Sequence, residues 1–375
     1  MEIVSNWLNN LVANPSFHTF IKKIPIIRQL AFNEGEKIYD LVAGFVYSQI
    51  LLAFIELRLI DFFISGRKNI DEISKYTGLS NNKCLLLCNA ATSIGLLKKR
   101  KDSTFKLTRL GAAIKGVRGL DKMILHHKIF YRDLIDPVKL LNENFDTELR
   151  NFWKYVPSTK KITKEEAKNY SELMGVSQYI VAEETLNLVK LNGFQKLLDV
   201  GGGNGTFILE VMKLYPNLTL GVFDLPSVIE ETKIKISHLI DVSRINLIAG
   251  NFIKDGLPHG YDIIFLNRVL YDHNDTVVEI ILNKIYDALT PKGQLVISEP
   301  MAGNHYPTRA GDAYFGFYTM AMTSGKPRNK EEHFKFLKKN GFRHLKLVSS
   351  PNDFITSVIA VSYTHLRAHE TREEL

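Results

Sequence analysis

The run KLLDVGGGNGTFILEVMKLYP, beginning at Lys196, constrains the fold more than any other stretch of this chain. A short apolar strand enters a cluster of glycines and leaves as an amphipathic helix. Strand, tight turn and helix in that order open a parallel α/β unit, because a parallel sheet needs a crossover between successive strands. The alternation continues: LTLGVF (218–223), INLIAG (245–250), YDIIFLN (261–267) and GQLVISE (293–299) read as strands with helical stretches between them. RHLKLVSS and FITSVIAV are joined only by PND, so they read as an antiparallel hairpin. The expectation for residues 191–361 is a Rossmann-like α/β sheet, parallel with an antiparallel C-terminal hairpin.

Residues 1–190 have a different texture, helical with one short β signal. Asn69 is placed to cap a helix with Glu72 at the capping-box position, and Gly78 to end it. Ser80 is placed to cap a second helix that stops before Gly95, and LLKKR and TFKLT then read as a small hairpin. Helix, turn, helix and hairpin make a winged helix. A DNA-reading helix presents Arg, Lys, Asn or Gln to base edges. Here Asn81, Asn82 and Lys83 are followed by the apolar CLLLCNAATSIG, so a packing module with no nucleic-acid partner is expected. LVAGFVYSQILLAFI (41–55) falls short of the ~20 residues of a membrane span and reads as a helix buried all round, in a core or between subunits.

Composition excludes some classes. The 375 residues carry a net charge of +8, but the basic runs KKRK (98–101) and KKITK (160–164) are too short for a nucleic-acid stripe. The two cysteines, Cys84 and Cys88, sit on one helix face and read as packed side chains rather than a disulfide or metal pair. A cytoplasmic protein without an N-terminal signal is the expectation. The closing SYTHLRAHETREEL (362–375) offers no partner for any element and reads as a non-native tail.

The glycine turn does not complete the dinucleotide fingerprint. Gly201-x-Gly203 is followed by Thr206, and Gly203-x-Gly205 by Ile208, where a third glycine would pack beneath a pyrophosphate. The compact Gly201-x-Gly203-x-Gly205 turn suits a nucleoside ligand without phosphate, and S-adenosyl-L-methionine is such a ligand. Asp224, at the end of the second strand and before Leu225, is placed to bind ribose hydroxyls. GNF (250–252) is placed to flank an adenine.

LLDVGGGNG, FDLPSVIE, GNF and RVLYDHND…LNKIYDALTPKGQLVISEPM resemble the motifs of the dimeric class I S-adenosylmethionine-dependent O-methyltransferases typified by the plant caffeic-acid enzymes. The likeness covers most of the chain, since that family carries an N-terminal helical winged-helix domain used for dimerisation. LVAGFVYSQILLAFIELRLIDF, FYRDLIDPVKLL and GDAYFGFYTMAMTSGKPR are similar to the bacterial carotenoid branch, the demethylspheroidene (hydroxyneurosporene) O-methyltransferases. The resemblance implies cofactor contacts at Gly201, Asp224, Asn251, Phe252 and Asn267, with Ser177 on a helix closing over the methionine end. Asn251 stands where the family has Asp, its carbonyl oxygen left to bond the adenine amino group. Asn267 stands where it has Lys, with Arg268 beside it to compensate.

In the plant relatives a histidine at the start of RVLYDHND accepts the acceptor's proton, flanked by two glutamates. The aligned residues here are Tyr271, Glu299 and Pro327. Three readings stay open: His273 as base, Tyr271 acting with Glu299, or positioning alone. The alternative for this stretch is a cap at Asn274 or Asp275 with His273 a turn residue; metal binding by Asp272, His273 and Asp275 is not expected, and no metal is assigned. Met301, Tyr314, Phe315, Phe317 and Tyr318 are candidates for an apolar substrate pocket, with HHKIFYRDL (126–134) facing them. The resemblance implies a homodimer that methylates a tertiary hydroxyl of an acyclic carotenoid, a lipophilic substrate, with peripheral membrane contact left open. A small phenol or polyketide hydroxyl is the alternative acceptor, and a winged-helix regulator that senses S-adenosylmethionine is the alternative of another class.

Overall fold

The computed structural model describes residues 2–21, 25–142, 146–153, 164–237, 242–348 and 354–362. The chain divides into two compact units, Met1–Gly116 and Val117–Leu375. The sheet was expected to begin a domain near residue 191, but the second unit starts much earlier. Helical periodicity marks a helix without saying which core it packs on. Phe130, Leu140, Leu149 and Trp153 pack on Tyr318, Ala321 and Met322, so the helices after residue 116 belong with the sheet.

In the first unit a 32-residue helix, Pro25–Glu56, is buried at Leu52, Phe54 and Ile55 among its described side chains. Ile38, Leu41, Val42 and Phe45 are exposed, Leu41 at 83%. Expected to be buried all round, this helix therefore keeps a bare apolar stripe within its own unit. Its Phe32–Glu56 portion is also long and apolar enough to cross a membrane, contrary to the shorter run expected. Asn69 and Glu72 form the expected capping box of Ile70–Thr77, and Gly78 closes that helix at φ 73°. Ser80 stands at the N-cap of Asn81–Ser93 but makes no side-chain cap bond. Cys84 and Cys88 are buried on that helix as free thiols. Strands β1 (Leu97–Lys99) and β2 (Phe105–Leu107) pair antiparallel, Leu97 opposite Leu107.

The second unit is built on seven strands: β3 (Lys196–Val200), β4 (Thr219–Asp224), β5 (Ile245–Ala249), β6 (Tyr261–Asn267), β7 (Leu289–Glu299), β8 (Arg343–Val348) and β9 (Ser357–Ser362). Their order is β5-β4-β3-β6-β7-β9-β8. The first five are parallel, and β9 runs antiparallel to both β7 and β8. The strands are apolar almost throughout because both faces are covered. Leu198, Ile264, Leu266 and Ile297 serve one core, and Leu197, Ile263, Phe265 and Val296 the other. Each such side chain contributes about 2 kcal/mol by leaving water. Strand order reverses between β3 and β6, and at such a switch point the carboxyl ends of the strands open a crevice. Of the tail 362–375, Ser362 ends β9 and the rest lies outside the described residues.

Candidate active site

The glycine turn leaves β3 with Gly201, Gly203 and Gly205 all at positive φ, 71°, 55° and 73°. Side chains are disfavoured there, and a Cβ on Gly201 would press into Val269. A Cβ on Gly203 would meet nothing within 4 Å, so the turn leaves room over its backbone. Asp224 spans the turn: Gly203 N–H donates to Oδ2 at 2.8 Å and Leu225 N–H to Oδ1 at 2.7 Å. Burial raises its carboxyl pKa despite those two bonds. Each oxygen keeps a lone pair for a further donor. Behind the turn, Lys235 Nζ donates to Asn204 O at 3.1 Å and to Thr206 Oγ1 at 2.9 Å; burial, with Arg118 adding, brings it down to about 8. The helix Lys164–Leu188 that carries half-buried Ser177 passes the same turn, Gly175 lying against Asn204.

Two expected cofactor contacts are arranged differently. Asn251 Oδ1 accepts Ile253 N–H at 2.8 Å and Lys254 N–H at 3.3 Å, so the oxygen reserved for an adenine amino group is spent on its own turn. Arg268 does not replace the missing lysine. Its guanidinium lies 5.4 Å from the Phe315 ring and donates to Ile355 O at 3.0 Å, on the acceptor side. Asn267 instead donates Nδ2–H to buried Asp199 Oδ1 at 3.0 Å. Its own Oδ1 is buried without a hydrogen-bond partner among the described residues. An orphaned acceptor beside an open glycine turn fits a ligand with amino and ribose donors, as S-adenosyl-L-methionine has. Burial pushes Asp199 up to about 8, opposed by the Asn267 bond and aided by Asp224.

Tyr271 and His273 part company. The chain leaves β6 through Arg268, at φ 54°, into a 3₁₀ turn over Leu270–Asp272. Tyr271 packs edge-on against Phe315, centroids 6.1 Å apart, whereas His273 packs on Phe252 at 5.4 Å. His273 therefore lies on the Phe252 side of the turn, and burial holds its pKa down to about 4. Asn274 caps the following helix, accepting Val277 N–H at 3.0 Å. Burial, reinforced by Asp272 and only partly opposed by Arg268, lifts the Tyr271 phenol well above its ordinary value. That shift favours the protonated phenol, a hydrogen-bond donor.

The charges under this turn hold it in place. Glu299 Oε2 accepts Tyr271 N–H at 3.0 Å, and its Oε1 lies 3.2 Å from His333 Nε2, with both side chains buried. Arg328, fully buried, donates to Leu270 O and His273 O, each at 2.8 Å, and to Asp275 Oδ1 at 2.7 Å. Gly325 lets the chain pass so close that any Cβ would strike Tyr271 O. Arg328 and His333 were missed because no spacing connects them to RVLYDHND; the GKPR stretch was read only for its proline.

The substrate-pocket candidates divide as well. All but Met301 are carried by a π-helical turn, Arg309–Phe315, running into the helix Gly316–Ala321. Tyr314, Phe315 and Tyr318 form one aromatic group, with centroids 4.9 to 6.4 Å apart. Phe317 is 37% exposed and points away from that group's buried side. Met301 packs against the sheet core. The helix Leu120–Asp133 meets the aromatic group: His126 Nε2 lies 2.8 Å from Tyr318 Oη and His127 Nε2 2.5 Å from Tyr314 Oη. No group of three or more His, Cys, Asp or Glu suited to a metal occurs among the described residues.

An O-methyltransferase domain model matches residues 131–343. The demethylspheroidene O-methyltransferase of Rhodobacter capsulatus is 41% identical over 357 residues, 94% of this chain and 88% of that protein. Its namesake from Cereibacter sphaeroides is 37% identical, covering 93% of this chain and 92% of that protein. Human N-acetylserotonin methyltransferase, solved in complex with SAM, shares the fold with a TM-score of 0.75 at 23% identity, over 88% of this chain and 98% of that one. The glycine turn, the reversal of strand order and these relationships agree: the chain belongs to the O-methyltransferase family and is an S-adenosyl-L-methionine-dependent O-methyltransferase.

Proposed function

We propose that this enzyme methylates the tertiary hydroxyl of an acyclic carotenoid of the demethylspheroidene type, leaving a methoxy end group and S-adenosylhomocysteine. The observation that carries this reading is the acceptor wall of Tyr314, Phe315 and Tyr318, apolar rings with no imidazole at position 271, in a chain related almost end to end to two demethylspheroidene enzymes. A polyene asks for rings and aliphatic surface along its length and polar groups only at the reacting end.

When bound, S-adenosyl-L-methionine supplies a methyl group made electrophilic by its sulfonium. Asp224 takes the ribose hydroxyls, Leu225 and Phe252 flank the adenine with His273 behind, and Asn267 Oδ1 accepts from the amino-acid end near Ser177. Tyr271 donates its phenolic hydrogen to the acceptor oxygen and aims it along the line of displacement. Glu299 acts on Tyr271 through the backbone. The first unit acts as a winged-helix dimerisation module in the cytoplasm, a second copy covering Ile38, Leu41, Val42 and Phe45, which follow i, i+3, i+4, i+7 spacing. Peripheral membrane contact delivers the substrate.

The test offers labelled S-adenosylmethionine with a 1-hydroxylated acyclic carotenoid in detergent beside a panel of simple phenols. Label in the carotenoid alone is expected; label confined to a phenol overturns the reading. Sedimentation of Leu41→Glu as a monomer, against a wild-type dimer, checks the interface.

A further inference from the structure

The acceptor wall contains two imidazole–phenol pairs that differ in one respect. Tyr318 already has two partners: its oxygen accepts Trp153 Nε1–H at 2.9 Å and lies 2.8 Å from His126 Nε2. Among the described residues Tyr314 Oη has one partner, His127 Nε2 at 2.5 Å, so a lone pair on its oxygen remains available. Tyr314 also stands nearer the chemistry. Its ring is 4.9 Å from Phe315, which packs on Tyr271 and beneath Arg268, and the Arg268 charge acts on both the Tyr271 and Tyr314 hydroxyls.

We propose that Tyr314 and His127 form the proton relay of this enzyme, Tyr314 receiving the acceptor's hydroxyl proton and His127 Nε2 holding the proton that Tyr314 gives up. The assignment rests on the reading that a hydroxyl is presented beside Tyr271. The step balances. The O–CH3 bond forms as the S–CH3 bond breaks, and that electron pair returns to sulfur. The hydroxyl proton passes to the Tyr314 oxygen while Tyr314's own proton moves to His127, leaving an imidazolium. One positive charge disappears at sulfur and one appears at the imidazole, so the buried site gains no net charge, which would otherwise be costly. Burial keeps His127 below the ordinary histidine value, so its imidazole is neutral and able to accept near neutral pH. Burial also keeps the Tyr314 hydroxyl protonated, so it passes a proton on. Among the described residues, the other titratable or charged groups around the pair include His126 and Tyr131, each with its ring 6.4 Å from His127, Tyr318 with its ring 5.8 Å from Tyr314, Tyr271, and Arg268 beyond Tyr314.

The test measures label transfer to the carotenoid from about pH 5 to about pH 9 for wild type, Tyr314→Phe, His127→Gln and the double variant, with S-adenosylmethionine affinity by calorimetry. Each single variant is expected to lose about 10²-fold or more in kcat with cofactor affinity unchanged. The double variant falls no further, because the two groups act as one unit. The acid limb of the wild-type kcat profile, set by protonation of His127, disappears in His127→Gln. Near-wild-type kcat in either variant overturns the relay, as do losses that multiply in the double variant or are matched by losses of cofactor affinity. Should His127→Gln not fold, Tyr314→Phe, which lacks only one oxygen, decides. A wild type that labels a phenol and not the carotenoid sinks the substrate reading, and the same variants then judge the relay on that phenol.

Discussion

β3 and β6 are neighbours, and their carboxyl ends form the two halves of the site, yet the two ends are held by different means. At β3 the backbone does most of the holding. Three glycines make the turn, and one carboxylate, Asp224, takes the Gly203 N–H of the turn and the N–H of its own neighbour Leu225. At β6 the Leu270–His273 turn is held by side chains from distant parts of the chain. Glu299 is 28 positions from Tyr271, and Arg328 is 58 from Leu270. A half built from local backbone fails by losing its ligand. A half built from remote buried charges fails by losing its geometry.

The largest expected effect lies on the cofactor side. On the proposed reading, Asp224→Ala removes the acceptor of the ribose hydroxyls, about 3–5 kcal/mol for two hydrogen bonds to a carboxylate. S-adenosylmethionine affinity should weaken about 10²- to 10³-fold by calorimetry. The acceptor's KM should hardly move, and if it rises in parallel the two halves are not separable. Arg328→Lys is the counterpart. A lysine keeps the charge but cannot bridge Leu270 O, His273 O and Asp275 at once. The expected result is a loss of about 10- to 100-fold in kcat with cofactor affinity unchanged, since displacement by about 1 Å is enough. Unchanged kcat would mean that Glu299 alone sets the turn.

This contrast also governs how much could be read beforehand. The glycine turn, the place of Asp224 at a strand end and the succession of strands along the chain follow from local rules: which residues tolerate positive φ, and which runs are apolar on both faces. The cap at Asn274 and the capping box at Asn69 and Glu72 are local in the same way. The acceptor half depends on contacts between residues more than 150 positions apart, as between His127 and Tyr314. Nothing in HHKIFYRDL says which imidazole meets which phenol. The divergence of Tyr271 and His273 was likewise hidden, because it turns on a single 3₁₀ turn after Arg268. Asn251 was misjudged for a local reason: its side chain competes for nearby backbone N–H groups, and that outcome depends on loop geometry.

Tyr318→Phe sharpens the difference between the two phenols. Removing this hydroxyl takes one partner from Trp153 Nε1–H and one from His126 Nε2, both in buried surroundings. Stability should fall by about 1–3 kcal/mol, read as a lower denaturant midpoint. Because that hydroxyl already has two partners, kcat at saturating cofactor should stay close to wild type. A kcat loss as deep as that expected for Tyr314→Phe would show that the reacting oxygen sits at Tyr318 instead.

The smallest expected effect tests the most deeply buried carboxyl of the cofactor half. Asp199 is fully buried and raised from its ordinary value of 3.8 to about 8. A carboxyl raised by folding keeps its proton in the native state over a range where the unfolded chain has lost it. Its contribution to stability is therefore fully present below about pH 4 and is lost as pH rises toward 8. Asp199→Asn has no proton to lose, and its side-chain oxygen can still accept from Asn267. The melting temperature of ligand-free wild type, relative to Asp199→Asn, should fall steadily between those limits and level off above them. A difference independent of pH would mean that Asp199 is ionised in the fold, with its charge answered by a donor other than Asn267; the cofactor half would then depend on a buried charge, as the acceptor half does.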